Sequence, residues 1–136
     1  MARDSFPDGV VEQEFQIRER LLLINVHVSH YRRDHPYDAV RYAWKVNSHR
    51  AERYTLALAH DKVEVVGAYR PTEWLPATHE KFRELAGRYN LTVHPGRYGF
   101  VGEPAEPDVW SYYVGKRVPE RFRRSQSPVR YLKPGM

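Results

Sequence analysis

The sequence predicts a mixed α+β domain: a small curled β-barrel of about five to six short strands, with short helices inserted between them. Three observations predict this fold class. RYTLALAH (53–60) and VEVVGAYRPTEW (63–74) are rich in β-branched and aromatic residues and are separated by Asp61 and Lys62 alone, the pattern of a hairpin. RLLLINVHVS (20–29) is an apolar run that alternates at its end, with Ile24, Val26 and Val28 on one side and Asn25 and His27 on the other, which reads as a central strand. The helical patterns are all short and bounded by proline or glycine, so they fit as insertions between strands.

In chain order, residues 1–14 are polar, contain Pro7 and Gly9, and read as a flexible N-terminal arm; residues 15–136 form one domain. After the first strand, Asp34 and Pro36 open a short helical pattern in which Tyr37, Val40, Ala43 and Trp44 fall at helical spacing. The hairpin follows. THEKFRELAGRY (78–89) reads as a helix, with Thr78 as N-cap, Glu80 in the first turn, Phe82, Leu85 and Ala86 on the apolar face, and Gly87 as a stop. RYGFVGE (97–103) is a strand bounded by glycines. EPDVWSYYVGKRV has Pro107 at a helix start and Gly115 at its stop, with Trp110 in the core, and PVRYL (128–132) closes the sheet.

A chain of 136 residues, 41% hydrophobic and 29% charged, can bury one core without staples. With no cysteine, thiolate zinc sites, disulfides and cysteine nucleophiles are excluded, which fits a reducing cytoplasm. The longest apolar run, LLLINV, is far shorter than a membrane span, and the N-terminus lacks an apolar signal region, so the expected protein is soluble, with no membrane partner. Net charge is +5, and the segment from Lys116 to Lys133 alone carries +6. Such a field attracts polyanions, although a solvated tail that keeps the chain soluble would have the same composition.

Stacking a base needs flat aromatic faces, a phosphate backbone needs Arg and Lys, and a base edge needs Asn, Gln, Ser or backbone groups. The chain supplies these together. Arg-Tyr pairs recur at 41–42, 53–54, 88–89, 97–98 and 130–131. The same pairs would equally serve as tyrosines plugging a core with arginines reaching into water. Trp44, before a polar basic loop, and Trp74, at a strand end, stand open between pocket and core, with Asn47 and Ser48 in the loop as base-edge groups.

Catalytic signatures are weak. His27, His30 and His35 lie near Asp34, but their spacing fits no compact metal motif, and surface or capping roles are the reading taken. No Gly-rich phosphate loop, Ser-His-Asp order or carboxylate cluster for paired magnesium appears. No catalytic residue, cofactor or metal ligand is assigned.

The motifs AWKVNSHRAERY, LALAHDKVEVVGAYRPTEW, GRYGFVGEP, YYVGKRVPERF and SPVRYL, in that order, resemble the PUA-like superfamily, which contains the EVE, ASCH and YTH domains. The likeness covers about residues 20–132. Two departures stand out: Ser127 occupies a position where Asn is usual, and residues 77–94 form an additional helical insertion. The resemblance implies binding of nucleic acid, DNA or RNA, through a pocket that accepts a flipped or modified base between aromatic walls. The pocket expected on that basis is Trp44, Asn47, Ser48, Trp74 and Tyr98, with Arg50, Arg53, Arg97, Lys116, Arg117, Arg123 and Arg124 on the backbone. Two alternatives remain: an ASCH-like hydrolase of a modified nucleoside, using Lys45 with Glu52 or Glu64, and a non-catalytic protein-interaction module. Binding is favoured over catalysis, and the oligomeric state is not set by the sequence.

Overall fold

The computed structural model describes residues 13–28, 35–89, 91, 93, 95–124 and 127–136. Five strands, β1 (Leu21–Asn25), β2 (Leu56–Asp61), β3 (Glu64–Pro76), β4 (Tyr98–Pro104) and β5 (Val129–Leu132), form one mixed sheet in the order β4-β3-β2-β1-β5. β1 runs parallel to β2, and the other neighbours are antiparallel. The helices are α1 (Pro36–Val40), α2 (Ser48–Ala51), α3 (Arg83–Arg88) and α4 (Pro107–Tyr113).

The period-2 geometry of the central strands divides the core into two layers. Leu22 and Ile24 on β1, with Ala57 and Ala59 on β2, face one cluster that includes Trp44, Tyr69, Trp74 and Phe100. Leu21, Leu23, Leu56 and Leu58 face the other, with Phe15, Tyr113, Val118 and Leu132. Successive side chains on a strand point to opposite faces, so a strand buried on both reads as an unbroken apolar run. LLLI is such a run. The strand ends sooner than the alternation predicted: Asn25 Oδ1 accepts a hydrogen bond from the His27 N–H at 3.0 Å, and Val26–Val28 form a single 3₁₀ turn.

The hairpin β2–β3 is present, and α4 begins at Pro107 and gives way before Gly115, whose φ of +95° is one glycine readily adopts. The sheet is not closed into a barrel. The outer edge of β4 is taken by the segment from Arg41 to Trp44: Phe100 donates to the Arg41 carbonyl at 2.8 Å, and Trp44 and Tyr98 exchange backbone bonds of 2.8 and 3.0 Å. A Cβ on Gly99 would lie 2.3 Å from the Arg41 carbonyl oxygen, so this close passage requires glycine there. With these β4 edge groups occupied, β5 pairs with β1 alone.

The described residues of the 77–94 segment pack as a layer. Phe82, Leu85 and Leu91 cover Tyr42 and Ala43, and the buried Arg41 donates to Glu84 at 2.6 Å. That hydrogen bond and the adjacent guanidinium charge hold the Glu84 carboxyl below its usual range. Arg88 and Tyr89 both reach the Asp38 carboxylate, which is buried. The predicted helix over 78–89 is correspondingly shorter. Thr78 Oγ1 accepts from the Lys81 N–H in a preceding turn, and Gly87 lies within the helix. Phe15 donates to the Arg117 carbonyl at 3.1 Å and Arg117 to the Gln13 carbonyl at 2.9 Å, so the chain is tied to the packed residues from residue 13 onward.

Candidate functional site

α2 is a single turn made possible by its cap. Asn47 Oδ1 accepts the Arg50 N–H at 3.0 Å, and the Asn47 N–H donates to the Tyr131 hydroxyl at 3.3 Å. The cap fixes how the next residues are displayed. Arg50 lays its guanidinium over the Tyr131 ring, 3.9 Å from the centroid, and Tyr131 meets Tyr54 edge-on at 5.2 Å. Lys45, His49, Arg50 and Arg53 are all exposed. Among the described residues, no hydrogen bond or ion pair occupies the charged groups of Lys45, His49 or Arg53.

Where this turn ends, Glu52 and Tyr54 face residues Pro71 to Trp74 of β3 across a recess of about 210 Å³. The register of β3 against β4 shifts between Pro71 and Glu73, and this bulge shapes one wall. Thr72 spends its hydroxyl on the Val101 carbonyl at 2.9 Å, so the carboxylates of Glu52 and Glu73 are the charged groups lining it. Trp74 is only 8% exposed, and its Nε1 is buried without a hydrogen-bond partner among the described residues.

Of the expected pocket residues only Trp74 lines the recess, and Trp44, Trp74 and Tyr98 share one core cluster. Trp44 is 6% exposed, donates its Nε1 to the Val40 carbonyl and does not line the recess. Tyr98 is half-buried against the same core cluster. Trp74 packs on Phe100 at 5.1 Å between centroids and reaches the recess from within the core. The oxygen of the Asn47 side chain is committed to the cap, and Ser48 is the first residue of α2.

The expected backbone contacts separate into two groups. Arg50 and Arg53 are presented outward, and Arg97 is exposed with one long hydrogen bond, 3.4 Å, to the Ala43 carbonyl. Lys116 bonds the Tyr112 carbonyl and sits 4.1 Å over the Tyr112 ring, while Arg117 runs between Glu14 and Glu64 as backbone bridges. Arg123 donates to the Val118 carbonyl at 2.7 Å and to Glu14 at 2.9 Å, and Arg121, in the same segment, donates to the Met136 carbonyl at 2.6 Å. Arg124 is exposed.

The proposed catalytic pairings find no support in contacts: Lys45 forms no ion pair with Glu52 or Glu64. His30 and Asp34 lie outside the described residues, while His27 pairs with Asp61 at 2.9 Å. Among the described residues no group of three His, Asp or Glu side chains is placed to hold a metal, and no helix is long and apolar enough to cross a membrane.

Sequence reasoning missed the recess itself. Tyr54 and Glu73 look like ordinary strand residues, and Glu52 stands out in the sequence only as a partner for Lys45; only Pro71, inside an otherwise strand-like run, signals an irregularity there. It also missed Arg70, which is clamped by Glu19, Glu106 and the Thr55 carbonyl. Ser127, at the position where the resembling sequences carry Asn, bonds locally, donating to the Val129 carbonyl at 2.8 Å as β5 begins. Comparison with protein-family models, with curated proteins and with solved structures finds no match for this chain.

Proposed function

We propose that this chain is a PUA-like domain that binds single-stranded nucleic acid, with the phosphate backbone on the face formed by Lys45, Arg50, Arg53 and Tyr131 and a base directed toward the Trp74 recess. The observation that carries this reading is the set of outward cations on and around α2 that no carboxylate among the described residues neutralises. An unneutralised cation beside a phosphate releases condensed counterions, whereas a paired one must first break its own contact. The stacked Arg50–Tyr131 pair adds a flat polar surface against which a sugar or base can lie. The adjoining recess, walled by Tyr54, Pro71 and Trp74, supports the base-directed part of the reading. The family assignment rests on the order of sequence motifs, and the curled barrel that the family implies would require the open sheet to bend further toward closure.

The test is the salt dependence of binding to a short single-stranded oligonucleotide. Three contributing cations should give an affinity that falls with a log-log slope of about −2, at roughly 0.7 per neutralised phosphate on a single strand. Binding that ignores salt, or none at low salt, overturns the reading.

A further inference from the structure

We infer that the recess beside α2 selects guanine. The inference rests on the nucleic-acid reading above and deepens it, because it concerns which base enters. Glu52 and Glu73 both line the recess, and ionised carboxylates are pure hydrogen-bond acceptors. On a surface that served phosphates alone, two carboxylates in the adjoining recess would only subtract from the attraction. They are useful against a base edge that presents N–H donors.

Guanine has the edge that fits: N1–H and one N2–H lie side by side and can both point at one carboxylate, with the O6 carbonyl beyond them. Trp74 and Tyr54 line the same recess, and their aromatic rings give a planar base a wall to lie against beside the carboxylates. Adenine and cytosine offer a single amino group beside a ring-nitrogen lone pair, so a carboxylate gains one bond and meets one repulsion. Uracil and thymine set their N3–H between two carbonyls, both of which would face the carboxylate oxygens. A site built from acceptors discriminates chiefly by leaving such groups unpaired. The expected order is guanine, then adenine and cytosine, then uracil or thymine.

The experiment uses the full chain and a set of short single-stranded oligonucleotides identical except at one central position, which carries guanine, N1-methylguanine, adenine, cytosine, thymine or no base. Fluorescence anisotropy at fixed low salt reads affinity. Guanine should bind about tenfold or more tighter than thymine, and N1-methylguanine, which removes one donor and adds bulk, should lose that advantage. Glu52→Gln and Glu73→Gln keep the side-chain size. At least one of them should reduce the guanine preference toward parity while strengthening binding to the thymine oligonucleotide, because a negative charge has left a polyanion-binding face. That opposite movement of selectivity and affinity would not follow from a purely structural role.

Equal affinity for all bases, together with loss of binding in Lys45→Ala/Arg53→Ala, rejects guanine selection and leaves the backbone reading standing. A preference unchanged in both glutamine variants rejects the assignment to these carboxylates. Absence of binding to every member of the set rejects the nucleic-acid reading itself.

Discussion

Residues 45–53 and 116–124 are two nine-residue segments rich in cations, the first with Lys45, His49, Arg50 and Arg53, the second with Lys116, Arg117, Arg121, Arg123 and Arg124. By charge density the second is the stronger candidate for a polyanion. In the fold, Lys116, Arg121 and Arg123 donate to the Tyr112, Met136 and Val118 carbonyls, and Arg123 also pairs with Glu14. The first segment keeps Lys45, His49 and Arg53 facing outward. The difference teaches that a cation's availability depends on which acceptors the chain brings within reach. In the 116–124 segment Lys116, Arg121 and Arg123 meet backbone oxygens at the end of α4 and beyond it, and so their charge is absorbed as structure, while Arg124 stays exposed. The 45–53 segment surrounds one capped turn whose carbonyls are already used.

The sharpest break in this comparison comes from removing the support of the free segment. Trp44 is buried immediately before Lys45, and Trp44→Ala should cost about 3–5 kcal/mol of stability through the cavity it leaves. A large drop in melting temperature, with loss of binding only in proportion to unfolding, is the expected result. Normal stability with selective loss of binding would place Trp44 in the recognition surface after all.

A smaller effect separates the two segments directly. Lys45→Ala/Arg53→Ala should flatten the salt slope of oligonucleotide binding by up to about 1.5 and leave the melting temperature nearly unchanged. Arg121→Ala/Arg123→Ala should do the converse, lowering stability by about 1–2 kcal/mol with little change in slope, since charge-assisted bonds to carbonyls are lost from a partly screened site. If the second pair flattens the slope more than the first, the contrast drawn between the segments is wrong.

The smallest expected effect comes from acid, and it concerns the most fully committed cation, Arg70. Its hydrogen bond, aided by the Glu106 backbone, holds the Glu106 carboxyl down to about 2. Burial pushes Glu19 up, but bonds from Arg70 and Thr55 outweigh it and leave that group below its usual range. Both groups are depressed in the fold, so their contribution is complete above the unfolded value near 4.5 and is lost as pH falls toward 2. Melting curves from pH 6 to pH 2 should show a decline in that window, and Arg70→Met should flatten it. An acid limb of equal steepness in the variant would mean that other carboxylates dominate.

Much of the fold was legible because it is local. The hairpin was written in two β-rich runs separated by a turn, α4 in the interval between Pro107 and Gly115, and β5 in a short run that follows Pro128. Elements decided by distant partners were not. Nothing within LLLINV says that it lies parallel to LALAHD, and nothing in GRYGF says that its outer edge is taken by the backbone of Arg41 and Trp44. The same limit governed the site. The basic loop and its aromatic neighbours could be found by composition, but Trp44 and Trp74 stood equally open to core and pocket.

The sequence by itself determined an α+β architecture, the local strands and turns, and an excess of positive charge, because backbone geometry, side-chain period and composition act over a few residues. Tertiary structure alone decided that the sheet stays open, that Trp44 is core, that Glu52 and Tyr54 meet Pro71 to Trp74 around a recess, and which cations remain free. These outcomes depend on groups far apart in the chain competing for the same hydrogen-bond partners and the same buried space, a competition settled only once the chain has closed on itself.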